Sequence, residues 1–187
     1  MPLPNRVTTA LDNALNNNRP AEVPGAAVAI LTPEGEWFGA SGVSDISDNL
    51  PLQPDDRFEA GSITKTFVAT TILQLTEEGK LSLEDTLTSL LPTEVTALIP
   101  NADQITVEQL LNHTSGIADY LDVLTTQALS NPTLFLQEWE PEQLLGFLDG
   151  VEPFFEPGTD WRYSNTNYVL AGQIIEVVTG NSYGKEI

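Results

Sequence analysis

Apolar residues recur at helical spacing early in the chain, at Val7, Leu11, Ala14 and Leu15, and Asn16-Asn17-Asn18 with Pro20 ends that run. The period then changes. Ala26-Ala27-Val28-Ala29-Ile30-Leu31 is a short unbroken apolar run suited to a buried strand, and Pro33-Glu34-Gly35 supplies turn chemistry. Trp37-Phe38-Gly39-Ala40 reads as the returning strand of a hairpin. Ser44 to Asp56, rich in Ser, Asp, Asn and Pro, reads as a surface connection.

From Ser62 onward the pattern is helical. Ile63, Phe67, Ile72, Leu73 and Leu75 predict a helix of about four turns, with Gly79 as its C′ residue. Thr86 to Leu91 is a short helical piece stopped by Pro92. Thr106-Val107-Glu108-Gln109 has the capping-box form and opens a helix that stops at His113-Thr114-Ser115-Gly116. Residues 117–150 read as mostly helical, broken at Asn131-Pro132 and Pro141. The loop Pro153 to Gly158 leads into Trp161-Arg162-Tyr163-Ser164-Asn165, and a last long helix runs from Thr166 to Thr179, closed by Gly180. Two strands against so many helices is unbalanced, because a lone hairpin is marginal by itself. The strand Ala26 to Leu31 is apolar on both faces, as if made for a larger sheet, so the fold is expected to continue beyond Ile187.

Composition narrows the class. Of 187 residues, 41% are hydrophobic and 18% charged, which is ordinary globular protein. With 27 acidic against 7 basic residues the formal net charge is −20, so phosphate backbones and anionic membranes are repelled and nucleic-acid binding is not expected. Cysteine is absent, which removes disulfides, thiolate catalysis and Cys-held metals. No run approaches transmembrane length and no signal peptide is visible, which leaves a cytoplasmic protein or a trimmed exported one.

The chemistry is found by elimination. A Ser-His-Asp hydrolase needs a His base, but His113 is the chain's one histidine and no Gly-x-Ser-x-Gly elbow occurs; His113 reads as a capping or turn-stabilising residue. No His pair, EF-hand pattern, P-loop or Rossmann fingerprint is present, so no metal and no cofactor is implied. What remains is a Ser activated by something other than His. Ser62 and Lys65 lie three apart at the head of the long helix and share a face, where helix N–H groups favour developing negative charge. Ser182 and Lys185 have the same spacing, so the pair alone singles out nothing. A Lys whose ammonium is destabilised, or a Tyr phenolate beside a cation, can deprotonate a Ser. Tyr163-Ser164-Asn165 supplies the Tyr, together with an amide able to hold both a substrate carbonyl and the Lys.

Ser-x-x-Lys at a helix start, then His-Thr-Ser-Gly, then Tyr-Ser-Asn before a helix resembles the serine β-lactamase and penicillin-recognising enzyme family, in its branch of class C β-lactamases and D-alanyl-D-alanine carboxypeptidases. Flanking text is similar too: Asp56-Arg57-Phe58, Leu73-Gln74-Leu75, Glu78-Gly79-Lys80-Leu81, Ile105-Thr106-Val107, Thr166-Asn167-Tyr168, Ala171-Gly172 and Thr179-Gly180. The resemblance implies an α+β, β-lactamase/transpeptidase-like fold: a helical lobe over residues 58–187, and over residues 1–57 the start of an antiparallel sheet lobe of which only the first hairpin is present. It implies Ser62 as the acylated nucleophile, Lys65 as its activating partner, Tyr163 as general base or proton shuttle, and Asn165 as a substrate contact. It implies a small-molecule or peptide substrate, an acyl-D-Ala-D-Ala, a β-lactam or an ester, and a family often exported.

The chain departs from the family in one respect. The third family motif, Lys-Thr-Gly or His-x-Gly on a downstream strand, is not found among these residues, and the C-terminal half of the family fold is expected to be missing. Losing one oxyanion donor costs about 10²–10³ in rate, so the chain alone is expected to be inactive or impaired. The expected activity is D-Ala-D-Ala carboxypeptidase-like or β-lactamase-like. The alternatives are an esterase of the same family, or a truncated non-catalytic relative.

Overall fold

A computed structural model describes residues 1–187 and divides them into two compact units, Met1–Glu59 and Ala60–Ile187.

In the first unit, helix α1 (Asn5–Asn18) precedes an antiparallel sheet of order β1-β2-β3 (Gly25–Thr32, Gly35–Asp45, Leu50–Pro51). The β1–β2 hairpin turns at Pro33-Glu34, with Thr32 opposite Gly35 and Ile30 opposite Trp37. Directly opposed residues share a sheet face. Val28 and Ile30 therefore lie with Trp37 and Gly39, and Trp37, buried, donates its indole N–H to Asp12 Oδ1 of α1 at 3.1 Å. Leu31 and Phe38 lie on the opposite face and are 70% and 50% exposed. β3 is a correction to the sequence reading, which placed Leu50 and Pro51 in a surface connection and counted a hairpin alone. Asp45 Oδ1 accepts from the N–H groups of Ser47 and Asp48 at 2.7 and 3.0 Å, and that turn brings Leu50 back beside Asp45. A two-residue strand containing Pro leaves no periodic trace.

The second unit is helical: α2 (Thr64–Glu77), α3 (Leu87–Leu90), α4 (Thr93–Thr96), α5 (Val107–Leu111), α6 (Tyr120–Ala128), α7 (Pro141–Gly146), α8 (Thr166–Thr179) and α9 (Tyr183–Glu186). The anticipated capping box opens α5, with the Gln109 N–H on Thr106 Oγ1 at 3.3 Å and the Thr106 N–H on Gln109 Oε1 at 3.1 Å. α8 ends at Gly180 with φ 74°, a left-handed closure for which Gly pays no Cβ penalty. Helices α2, α5 and α8 carry the core, whose innermost side chains include Ile72, Val107, Leu110, Leu170 and Ile174.

Helix α2 is apolar on two sides. Val68, Ile72 and Leu75 enter the core, whereas Phe67 and Leu73, which the sequence reading grouped with Ile72 and Leu75, are at least half exposed, as is Ile63 just before the helix. A single moment cannot describe a helix with two apolar faces.

Truncating Ile174, which has no exposed surface, removes atoms that the surrounding helices cannot replace. Ile174→Ala is expected to cost about 2–5 kcal/mol, a large share of the roughly 5–15 kcal/mol typical of a domain. Val177→Ala on the exposed side of α8 is expected to change stability by no more than about 0.5 kcal/mol. Urea midpoints of the two variants check the contrast.

Candidate active site

Ser62 stands one step earlier than a helix-start reading places it. It lies in a 3-10 turn, Gly61–Ile63, that runs directly into α2. Gly61 at φ 52° sets the entry, a left-handed conformation that a side chain would strain. Lys65 follows three residues later on the first turn of α2 and faces the same way.

Tyr163 and Asn165 come from the irregular segment between the Pro153–Gly158 loop and α8, Asn165 being already helical in backbone at the N-cap. The loop is tied back by the Phe154 N–H on the Gly116 carbonyl at 2.8 Å and the Gly158 N–H on the Thr114 carbonyl at 2.8 Å. Gly116 sits at φ 78° against the Phe155 carbonyl, leaving no room for a Cβ. Ser164 is fully buried and donates to the Ala118 carbonyl at 3.2 Å, which sends Tyr163 and Asn165 the other way, toward Ser62 and Lys65.

The four residues singled out in the sequence meet. Ser62 Oγ lies 2.9 Å from Tyr163 Oη and accepts from Lys65 Nζ at 3.2 Å. Lys65 Nζ also donates to Asn165 Oδ1 at 2.8 Å and lies 5.1 Å from the centre of the Tyr163 ring. Burial pushes the Tyr163 phenol up, but hydrogen bonds from Lys65 and Ser62 and the Lys65 charge outweigh it and hold the group below its ordinary value. Ser182 and Lys185, of equal spacing, begin the short helix α9, where Ser182 makes no side-chain cap.

Asn165 occupies an N-cap position, yet its side chain makes no cap bond. Its amide is spent between Lys65 and Asp119, donating to Asp119 Oδ2 at 2.8 Å. Asp119 went unnoticed in the sequence although it precedes an apolar helical run. Its other oxygen accepts from the Leu121 N–H at 3.0 Å, capping α6, and the residue is buried. Asp119→Ala should therefore lose a cap worth about 1 kcal/mol and release Asn165 from its set orientation. Calorimetry and pseudo-first-order acylation rates are expected to show both losses together.

His113, expected as a turn residue, is one, with φ 63° after α5. It also touches the site: its ring lies 4.5 Å from the Tyr163 ring, centre to centre. Burial lowers its pKa, the Lys65 charge lowers it further, and Asp119 opposes them. No cluster of His, Asp and Glu is close enough to hold a metal ion, and no helix is long and apolar enough to cross a membrane.

A serine is held jointly by a lysine three residues on and a distant tyrosine, at the head of a helix packed on a second helix that follows the tyrosine segment. The chain belongs to the Beta-lactamase family, whose model matches residues 13–187. Among its relatives, penicillin-binding protein 4* of Bacillus subtilis (strain 168) is 33% identical over 82% of this chain and 33% of its own length. The D-stereospecific amidohydrolase from Streptomyces sp. superposes with a TM-score of 0.82 at 41% identity, over 96% of this chain and 52% of its own. The D-amino acid amidase from Ochrobactrum anthropi SV3 in complex with D-phenylalanine gives 0.81 at 30% identity, over 97% and 48%. The chain thus spans about a third of that curated relative and about half of these solved structures.

Proposed function

We propose that this chain supplies the nucleophile and proton-transfer groups of a serine hydrolase that works through an acyl-enzyme on Ser62, with amides and peptides of D-amino acids as substrates. The observation that carries the reading is the simultaneous approach of Tyr163 Oη (2.9 Å) and Lys65 Nζ (3.2 Å) to Ser62 Oγ. Ser62 Oγ attacks the substrate carbonyl as its proton passes to the Tyr163 phenolate, with the Lys65 ammonium keeping that oxygen basic yet ionised. The C–N bond then breaks and the departing amine takes the proton from Tyr163. Water attacks the ester by the reverse proton route and frees Ser62. Asn165, its amide set by Asp119, holds Lys65 and is placed to meet the substrate. In this reading residues 1–57 begin the sheet lobe of the enzyme and residues 58–187 form its helical lobe.

Kinship with a D-stereospecific amidohydrolase and a D-amino acid amidase supports the D-amide class, and kinship with a penicillin-binding protein supports D-Ala-D-Ala peptides and β-lactams as acyl donors. Esters, being more reactive acyl donors, are expected to be accepted as well. The test uses the full-length gene product with D- and L-phenylalanine amide, an acyl-D-Ala-D-Ala peptide and a fluorescent penicillin. Faster turnover of the D-amide than of its mirror image, with a covalent adduct on Ser62, is the expected result. Equal turnover of the enantiomers would end the D-specific reading, and no adduct with any acyl donor at saturation would end the hydrolase reading.

A further inference from the structure

His113 is half-buried among the site's aromatic rings but has no part in the proton transfers described above. Its surroundings fix its protonation state by geometry alone. The Ser164 backbone N–H points at His113 Nδ1 at 3.3 Å. A backbone N–H can only donate, so Nδ1 is bare and the ring's proton is on Nε2.

A second chain of hydrogen bonds reaches the same nitrogen with the same polarity. The Ile117 N–H donates to Ser115 Oγ at 3.2 Å, and the Ser115 hydroxyl donates in turn to Asn167 Oδ1 at 2.7 Å. That orients the Asn167 amide and aims its Nδ2 at His113 Nδ1, 3.2 Å away. Ser115 and Asn167 are at most 1% exposed, so water cannot re-satisfy the chain if it breaks. Two donors therefore converge on Nδ1, and a proton placed there has no acceptor.

The same residue grips the catalytic segment from both sides of its own backbone. The His113 carbonyl accepts the Arg162 N–H at 3.0 Å while Nδ1 accepts the Ser164 N–H, so Tyr163 is bracketed by bonds to one residue. The imidazole lies against the Tyr163 ring at 4.5 Å and 33°, with Tyr168 at 5.5 Å and the edge of Trp161 at 6.2 Å. The charged and titratable groups facing it are Lys65 from α2, Asp119 from the start of α6, Tyr163 from the irregular segment and Tyr168 from α8. Arg162 is turned elsewhere, its guanidinium 3.6 Å from the centre of the Phe154 ring.

We propose that His113 is the positioning residue for Tyr163, that it works only as the neutral Nε2–H tautomer, and that its protonation adds a second, non-catalytic acid limb to acylation. A proton on Nδ1 would confront two N–H donors and push the ring off Ser164, and Tyr163 would lose the bond that sets its direction. This inference rests on the reading of Tyr163 as the base. The lowered pKa of His113 is in accord with it, since the site favours the neutral ring.

The test combines ¹⁵N NMR of the imidazole with the pH dependence of kcat/KM in the full-length gene product, the His113 signals being those lost in H113N. At pH 8 the spectrum is expected to show a bare Nδ1 and a protonated Nε2. Below the pH at which that pattern collapses, log kcat/KM should steepen by one further proton. Asn carries an acceptor oxygen near the Nδ1 position and tolerates a positive φ, but it cannot be protonated. His113→Asn is therefore expected to keep acylation at pH 8 within about tenfold and to lose the extra steepening. His113→Phe, with both donors left unpaired, should lose about 10- to 100-fold at every pH. A protonated Nδ1 at pH 8, or an H113N profile that steepens as the wild type does, overturns the proposal even if His113→Phe fails to fold. Absence of any Ser62 adduct would sink the hydrolase reading while the tautomer result stood, so the two failures are distinguishable.

Discussion

Replacing Ser62 by alanine is expected to abolish the acyl-enzyme, with kcat/KM for any amide or ester falling about 10⁶-fold, the scale seen when the nucleophile of a serine hydrolase is removed. The hydroxyl is the point on which Lys65 and Tyr163 converge. Lys65 and Asn165 remain paired without it, and Ser62 is exposed, so the melting curve should stay within about 0.5 kcal/mol of wild type. Intact-protein mass spectrometry after saturation with a penicillin reads the adduct directly. Ser182→Ala is the control, because Ser182 and Lys185 share the spacing of Ser62 and Lys65. An adduct that survives Ser62→Ala and vanishes in Ser182→Ala would overturn the assignment.

How far the chain could be read before its structure follows from what periodicity encodes. The bounds of α8, Thr166–Thr179, and its left-handed Gly180 were legible because an apolar stripe and a closing Gly act locally. The capping box at Thr106 was legible for the same reason. β3 was not, since a two-residue pairing is decided by the turn at Asp45 rather than by its own residues. The apolar positions of α2 were found, but the pattern did not separate Ile72, fully buried, from Phe67, more than half exposed.

The site divides along the same line. Ser62, Lys65, Tyr163 and Asn165 could be picked from the sequence because each belongs to a short motif, and the structure brings them within hydrogen-bond reach across about a hundred residues of chain. Their supports could not. Asp119 belongs to no motif, and its contact to Asn165 exists only after α6 and α8 have packed. The sequence shows His113 at a helix end, where it is indeed found, but not that its ring nitrogen would receive the N–H of a residue beside Tyr163. Motifs place reactive groups on elements; tertiary packing decides which groups hold them.

Lys65→Met tests whether the lysine acts through the tyrosine. Methionine keeps most of the side-chain volume and removes the charge, so the packing beside Tyr168 is retained. Of the influences on Tyr163, burial raises its pKa and Asp119 raises it further, while the Lys65 hydrogen bond, the Ser62 hydrogen bond and the Lys65 charge lower it. Deleting Lys65 leaves the two raising influences opposed by Ser62 alone. The phenolate then forms at higher pH, and each unit of upward displacement removes tenfold of the reactive form at neutral pH. In the wild type kcat/KM should rise with pH until Tyr163 is ionised, below the ordinary phenol value of about 10. In Lys65→Met that rise should move to higher pH, with a loss at neutral pH of about 10²–10⁴-fold, the usual worth of a positioned general base. Tyr163→Phe should abolish the rise altogether. A Lys65→Met enzyme whose rise stays at the wild-type pH would show that Lys65 does not tune Tyr163, whereas a rise lost in Lys65→Met and kept in Tyr163→Phe would show that the lysine takes the Ser62 proton itself.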